Sequence, residues 1–377
     1  DRLLPRLADN ARVLLAAYDV VTAAAATPGQ RIAPAEAWLL DNFYLIEQQI
    51  GLARRHLPRG YSRQLPRLAD GPSVGFPRIY DLALALISHM DGLVDNDNTT
   101  QFIAAYQSAE PLKLGELWAF PIMLQLALLE NLRRVALRVA RRREERDAAI
   151  IWADRMLKTA EEEPKQLIQR LAEFANADVP LTAPFVEEFY ARLQAQGPAM
   201  AFVQTWLEQK LLEQGVSATK LSSAAARTAA TNQISIANSI SSLRFIGTVD
   251  WRDFVESLSV VEQTLREDPT GMHASQNFAT RDRYRHVIEK VARRCERSEL
   301  NVAREAIVLA QKAAEQLGGN DRSAHVGYYL VDTGRQRLEQ TVGCSLSWKR
   351  RASRSLGHLR LPLYLSPILL LTALVTS

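Results

Sequence analysis

Apolar residues recur at helical spacing along almost the entire chain. Residues 1–26 read as an Ala-rich helix ended by Pro28 and Gly29. Pro34 opens a second, whose Leu39, Phe43, Ile46 and Ile50 form one stripe. The same spacing predicts helices over 78–92, 97–109, 114–146, 147–162, 164–176, 183–196, 198–214 and 218–247. The Pro- and Gly-rich stretch from Leu57 to Pro77 is too long for a simple turn, so it is expected to be functional or pinned against a neighbour. The 218–247 helix is small and polar (Ala224–Ala226, Ser235, Asn238, Ser239, Ser241, Ser242), which predicts close approach and an interhelical polar network. Ser298 is expected to cap a further helix that Gly318 and Gly319 end. His325–Val331 is the one segment that reads as β. The pattern predicts an all-α architecture with two helical subdomains, 1–146 and 147–335, then a linker over 336–360 and an apolar segment over 361–377.

Asp250–Cys295 has the clearest local grammar. Asp250 suits an N-cap, and Asp253 adds negative charge at the helix's positive end. Phe254, Leu258, Val261 and Leu265 make a buried stripe, and Pro269 and Gly271 stop it. Thr280 is expected to cap a second helix with Tyr284, Val287, Ile288, Val291 and Cys295 inward. Asp282 lies at the right spacing to pair with Arg285 and His286, each pair worth about 0.2–0.5 kcal/mol. The charged face reads either as ordinary solvated surface or as a docking site. In the docking reading Trp251, Arg252, Asp253, Arg281, Asp282, Arg283, Arg285 and His286 are its candidates, with Arg59 and Tyr61 of the 57–77 loop.

Charge changes the picture at one end only. The net charge is +4, yet Lys349, Arg350, Arg351, Arg354 and Arg360 follow the last carboxylate, Glu339; the rest holds 41 basic and 42 acidic side chains. Nucleic-acid binding therefore loses its main support. These five cations precede an uncharged, mostly apolar run of 17 residues, Leu361–Ser377. Spanning a bilayer takes about 20 residues. The run is read as the start of a transmembrane helix, with the cationic flank and everything before it on the cytoplasmic side. The chain begins without Met, so a fragment at both ends is expected. Cys295 and Cys344 have no near partner in sequence and read as free thiols in a reducing compartment.

No GxxxxGK[ST], HExxH, paired CxxC or GxSxG is present. Asp95-Asn96-Asp97 spells a DxD but sits between helices, where it reads as capping chemistry. The six histidines lack metal-ligand spacing. No catalytic residue, cofactor or metal site is expected in this segment.

Several stretches nevertheless resemble one family. WLLDNFYLIEQQI (Trp38–Ile50), LPRGYSRQLPRLADGPSVGFPRIYD (Leu57–Asp81) and GELWAFPIMLQLALLENLRR (Gly115–Arg134) come first. AATNQISIANSISSLR (Ala229–Arg244), DWRDF (Asp250–Phe254), FATRDRYRH (Phe278–His286) and HVGYYLVDTGR (His325–Arg335) follow in order. Together they are similar to the cyclic β-1,2-glucan synthases of bacterial inner membranes. The resemblance implies a larger parent that uses UDP-glucose, with a divalent cation, in a glycosyltransferase domain among transmembrane helices, followed by a phosphorylase-like domain. It implies an accessory role for this segment, docking on or positioning that transferase. The residues leave two alternatives open: a module that holds growing β-1,2-glucan, and a free-standing membrane-anchored interaction protein.

Overall fold

A computed structural model describes residues 2–57, 60–194 and 196–344. They form helices α1 (Leu3–Ala25), α2 (Pro34–His56), α3 (Arg78–His89), α4 (Asn96–Ala109), α5 (Leu114–Glu162), α6 (Leu167–Asn176), α7 (Ala183–Leu193) and α8 (Pro198–Glu213). Then come α9 (Ala218–Ile246), α10 (Trp251–Leu258), α11 (Val260–Leu265), α12 (Met272–Ser275), α13 (Phe278–Cys295), α14 (Glu299–Leu317), α15 (Val326–Val331) and α16 (Arg335–Thr341). Among the described residues there is no strand, only an isolated bridge between Arg67 and Pro77. The all-α expectation holds. His325–Val331, read as β, is instead helical over Val326–Val331. Val326, Tyr329 and Leu330 are buried on one helical side, a pattern that seven residues do not distinguish from a strand.

The chain divides into two compact units. One comprises 1–109 with 115–252; the other comprises 110–114 with the residues from 253 on. In the first unit α5 runs unbroken for 49 residues, straight through the boundary expected near 147. Nothing there stops a helix: Arg141–Ala153 contains neither Gly nor Pro, and Arg143–Asp147 and Arg141–Glu145 tie successive turns. Around Leu117–Val135 the helix is apolar nearly all round, so it is buried rather than amphipathic. Its later turns carry Ala149, Ala153 and Met156 into a second core with α6, α7 and α8. Phe174 is central to that core, with ring centroids 5.1–5.9 Å from Trp152, Phe185, Phe189 and Trp206.

The polar helix α9 packs against α2 and α7, and its small residues bond as expected. Asn131 on α5 donates to the Ser235 and Ser239 hydroxyls, each at 3.0 Å. The Ser242 hydroxyl donates to the Gly92 carbonyl and accepts from the Val94 amide, each at 2.8 Å. The 57–77 loop, as far as it is described, is pinned. Leu68 donates to the Phe76 carbonyl and accepts from the Gly75 amide, and Arg2 donates to the Val74 carbonyl at 2.7 Å. Asp95 accepts from the Asn98 amide at 2.8 Å, which makes the DxD a cap of α4.

In the second unit α11 and α13–α16 enclose one core, from Val261 and Leu265 through Ile288, Val291, Val302, Ala306 and Ala310 to Tyr329, Leu330 and Leu338. Two local expectations change. The helix predicted from Asp250 is interrupted at Ser259, whose hydroxyl accepts from the Glu262 amide and restarts the chain as α11. Asn277, not Thr280, caps α13 by accepting from the Thr280 amide. Cys295 and Cys344 are joined as a disulfide with Cα atoms 4.6 Å apart, which corrects the reading of two separate thiols. Their 49-residue separation hid the pairing, because α14–α16 return the chain to the end of α13.

Candidate functional site

The stretch with the clearest grammar builds a closed charge cluster in the second unit. α10 contributes Glu256 and α11 contributes Glu262; α13 contributes Arg281 and Asp282 and, one turn on, Arg285. Arg281 grips Glu256 with a two-pronged fork at 2.6 and 2.7 Å. Arg285, with no exposed side-chain surface, donates one nitrogen to both Glu256 (3.0 Å) and Glu262 (2.7 Å), and another to Asp282 at 3.2 Å. Its guanidinium also lies over the Phe278 ring, 5.2 Å from the centroid. Glu262, equally buried, further accepts from Arg266 and from His273 Nε2, each at 3.2 Å.

These contacts fix the protonation of the cluster. Burial alone would raise the Glu262 carboxyl. The His273 hydrogen bond and charge, with Arg285 and Arg266, outweigh that and hold it at about 2. Glu256 is also held below its ordinary value, mainly by the Arg281 hydrogen bond against the cost of burial. A second arm lies alongside. Burial opposes ionisation of Asp268, but the His325 Nδ1 donor at 3.0 Å, the Thr270 hydroxyl and the Val326 amide keep it low. Glu256, Glu262 and Asp268 are thus ionised and engaged. Chemically this is a clamp: it closes α10 and α11 onto α13 and offers no nucleophile. Among the described residues no group of His, Cys, Asp and Glu is arranged to hold a metal ion.

The docking candidates divide accordingly. Arg281, Asp282 and Arg285 come together within the clamp, while Arg283 on the same helix points to solvent. Arg252 and Asp253 are exposed; Trp251 is half-buried and donates from Nε1 to the Ile246 carbonyl at 3.0 Å. His286 is partly exposed and lies 3.3 Å from Asp282. Tyr61 is half-buried, and burial raises its hydroxyl pKa. Arg59, Lys349, Arg350, Arg351, Arg354, Arg360 and the apolar run 361–377 lie outside the described residues. No helix among the described residues is long and apolar enough to cross a membrane.

Sequence reasoning missed Glu256, Glu262, Asp268, His273 and His325. One signal pointed to them: Arg285 lies between Tyr284 and Ile288 on the inward stripe, and a buried guanidinium requires carboxylates nearby.

Over 368 residues, 97% of its length, the chain is 34% identical to the cyclic beta-(1,2)-glucan synthase NdvB of Rhizobium meliloti (strain 1021). It spans only 13% of that protein's length. No protein-family model matches it.

Proposed function

We propose that the chain is the helical accessory region of a membrane-bound cyclic β-1,2-glucan synthase, which docks on or positions the glycosyltransferase domain of the same polypeptide. Similarity sustained over 97% of the chain carries this reading, because it spans both units rather than one motif. The parent would take UDP-glucose, and this region would act from the cytoplasmic face of the inner membrane. The clamp supports the mechanical part. It rigidifies α10–α13 internally and leaves Arg283 as an outward charge available to a partner domain.

The test is Arg283→Glu in the full-length synthase polypeptide. Glucan formation from UDP-glucose should fall while expression and melting temperature stay unchanged. Arg285→Glu should instead unfold the second unit, since it puts a third carboxylate against Glu256 and Glu262. Full activity in Arg283→Glu would remove the docking role from this face.

A further inference from the structure

The first unit contains a second concentration of charge, unrelated to the clamp. A cavity of about 260 Å³ lies among the start of α2, the middle of α5 and the small-residue side of α9. Ala226, Ala229 and Ala230 create the space, Asn232 and Gln233 supply amides, and Arg142 and Arg146 supply positive charge. The one carboxylate in the wall, Glu36, is fully engaged. Arg146 bonds one oxygen and the Ala33 amide donates to the other at 2.7 Å.

Among the described residues Arg142 has no such partner. Its hydrogen bond there is a long one, 3.5 Å, to the Ala225 carbonyl. It stands in a row with Arg134 and Arg138, at four-residue spacing along α5. These two are exposed and lie outside the cavity wall; among the described residues they bond the side-chain oxygens of Asn131 at 3.2 Å and Asn232 at 2.9 Å. The facing helix α9 contains no Asp or Glu anywhere. Burial and the neighbouring guanidiniums, Arg134 for Arg138 and Arg146 for Arg142, lower the pKa of both; Glu187, Glu145 and Glu36 act on Arg142 without bonding it. The Arg146 Nε is buried and makes no hydrogen bond. Natural interiors balance half-buried cations, so Arg142, partly buried in the wall of an open cavity and bonded only to a carbonyl among the described residues, lacks its anion.

We propose that this cavity binds a phosphate-bearing anion, with Arg142 as its main ligand and the amides of Asn232 and Gln233 completing the site. The forked guanidinium matches phosphate oxygens, and the nearby first turn of α2 adds favourable dipole. This inference stands apart from the synthase reading and survives its failure.

The experiment is calorimetric titration of the 377-residue chain with inorganic phosphate and with pyrophosphate, at fixed ionic strength against chloride. Saturable binding is expected, tighter for pyrophosphate. Arg142→Gln should weaken it at least about tenfold. Arg141→Gln, on the solvent side of α5, should leave it unchanged. Ala229→Glu, which supplies a carboxylate from within the cavity wall, should abolish binding and raise the melting temperature. Phosphatidylglycerol vesicles form a further arm: binding that pyrophosphate competes away and Arg142→Gln loses would identify the anion as a lipid headgroup. Absence of saturable pyrophosphate binding, or equal affinity in wild type, Arg142→Gln and Ala229→Glu, overturns the proposal.

Discussion

Glu262 lies where α11, α12 and α13 meet, and E262Q isolates what its charge contributes. Glutamine keeps the shape of the side chain but loses the anion that Arg285, Arg266 and His273 share. In the fold the carboxyl is held at about 2, against an ordinary 4.5. A depressed carboxyl stabilises the fold above its unfolded pKa, and that stabilisation disappears as pH falls from 4.5 towards 2. The separation corresponds to about 3 kcal/mol at neutral pH. Urea unfolding of the 377-residue chain, followed by far-ultraviolet circular dichroism across a pH series, measures it. E262Q should lie roughly 3 kcal/mol below wild type near pH 7, and the gap should narrow steadily towards about pH 3. Equal stabilities at neutral pH, or a gap that ignores pH, would refute the clamp as the source of that stability.

Gly92→Ala should destabilise the first unit by at least about 2 kcal/mol, measured as a lowered melting temperature. Gly92 has φ +81°, and an added Cβ would come 2.3 Å from the Ser239 hydroxyl and 3.0 Å from the Asn131 amide nitrogen, within the network joining α5 to α9. The cysteine pair tests the sidedness of the proposed function. Cys295 and Cys344 are joined in the fold, so rapid alkylation in intact cells measures whether that bond persists at the proposed cytoplasmic location, where a reducing compartment would open it and let both thiols be labelled. A pair that resists label until reductant is added would place this region in an oxidising compartment.

Much of the fold was legible because long helices announce themselves. α1, α2, α9 and α14 follow from periodicity, from Pro34 at a first turn and from Ser298 as a cap. The failures come where local signals compete with tertiary context. Arg141–Arg143 and the charged run after it look like a helix end, but α5 continues because its far half has its own core to bury. Ser259 breaks α10 from α11 with no Gly or Pro, since a serine hydroxyl satisfies the new helix's first amides. The site was half legible. Arg281, Asp282 and Arg285 stood out by spacing, whereas Glu256, Glu262 and His273 lie 12–29 residues from Arg285 in sequence and only the turn at Gly271 brings them together. Interaction partners at that distance leave no trace in a single sequence's periodicity.

The measurement that bears most directly on the proposed accessory role is glucan synthesis from UDP-glucose in membranes carrying NdvB from which the counterpart of this chain has been deleted. The deleted protein should accumulate in the membrane yet make little or no cyclic β-1,2-glucan, and inserting this chain in its place should restore product. Undiminished synthesis by the deleted protein, with the same ring-size distribution, would contradict the account.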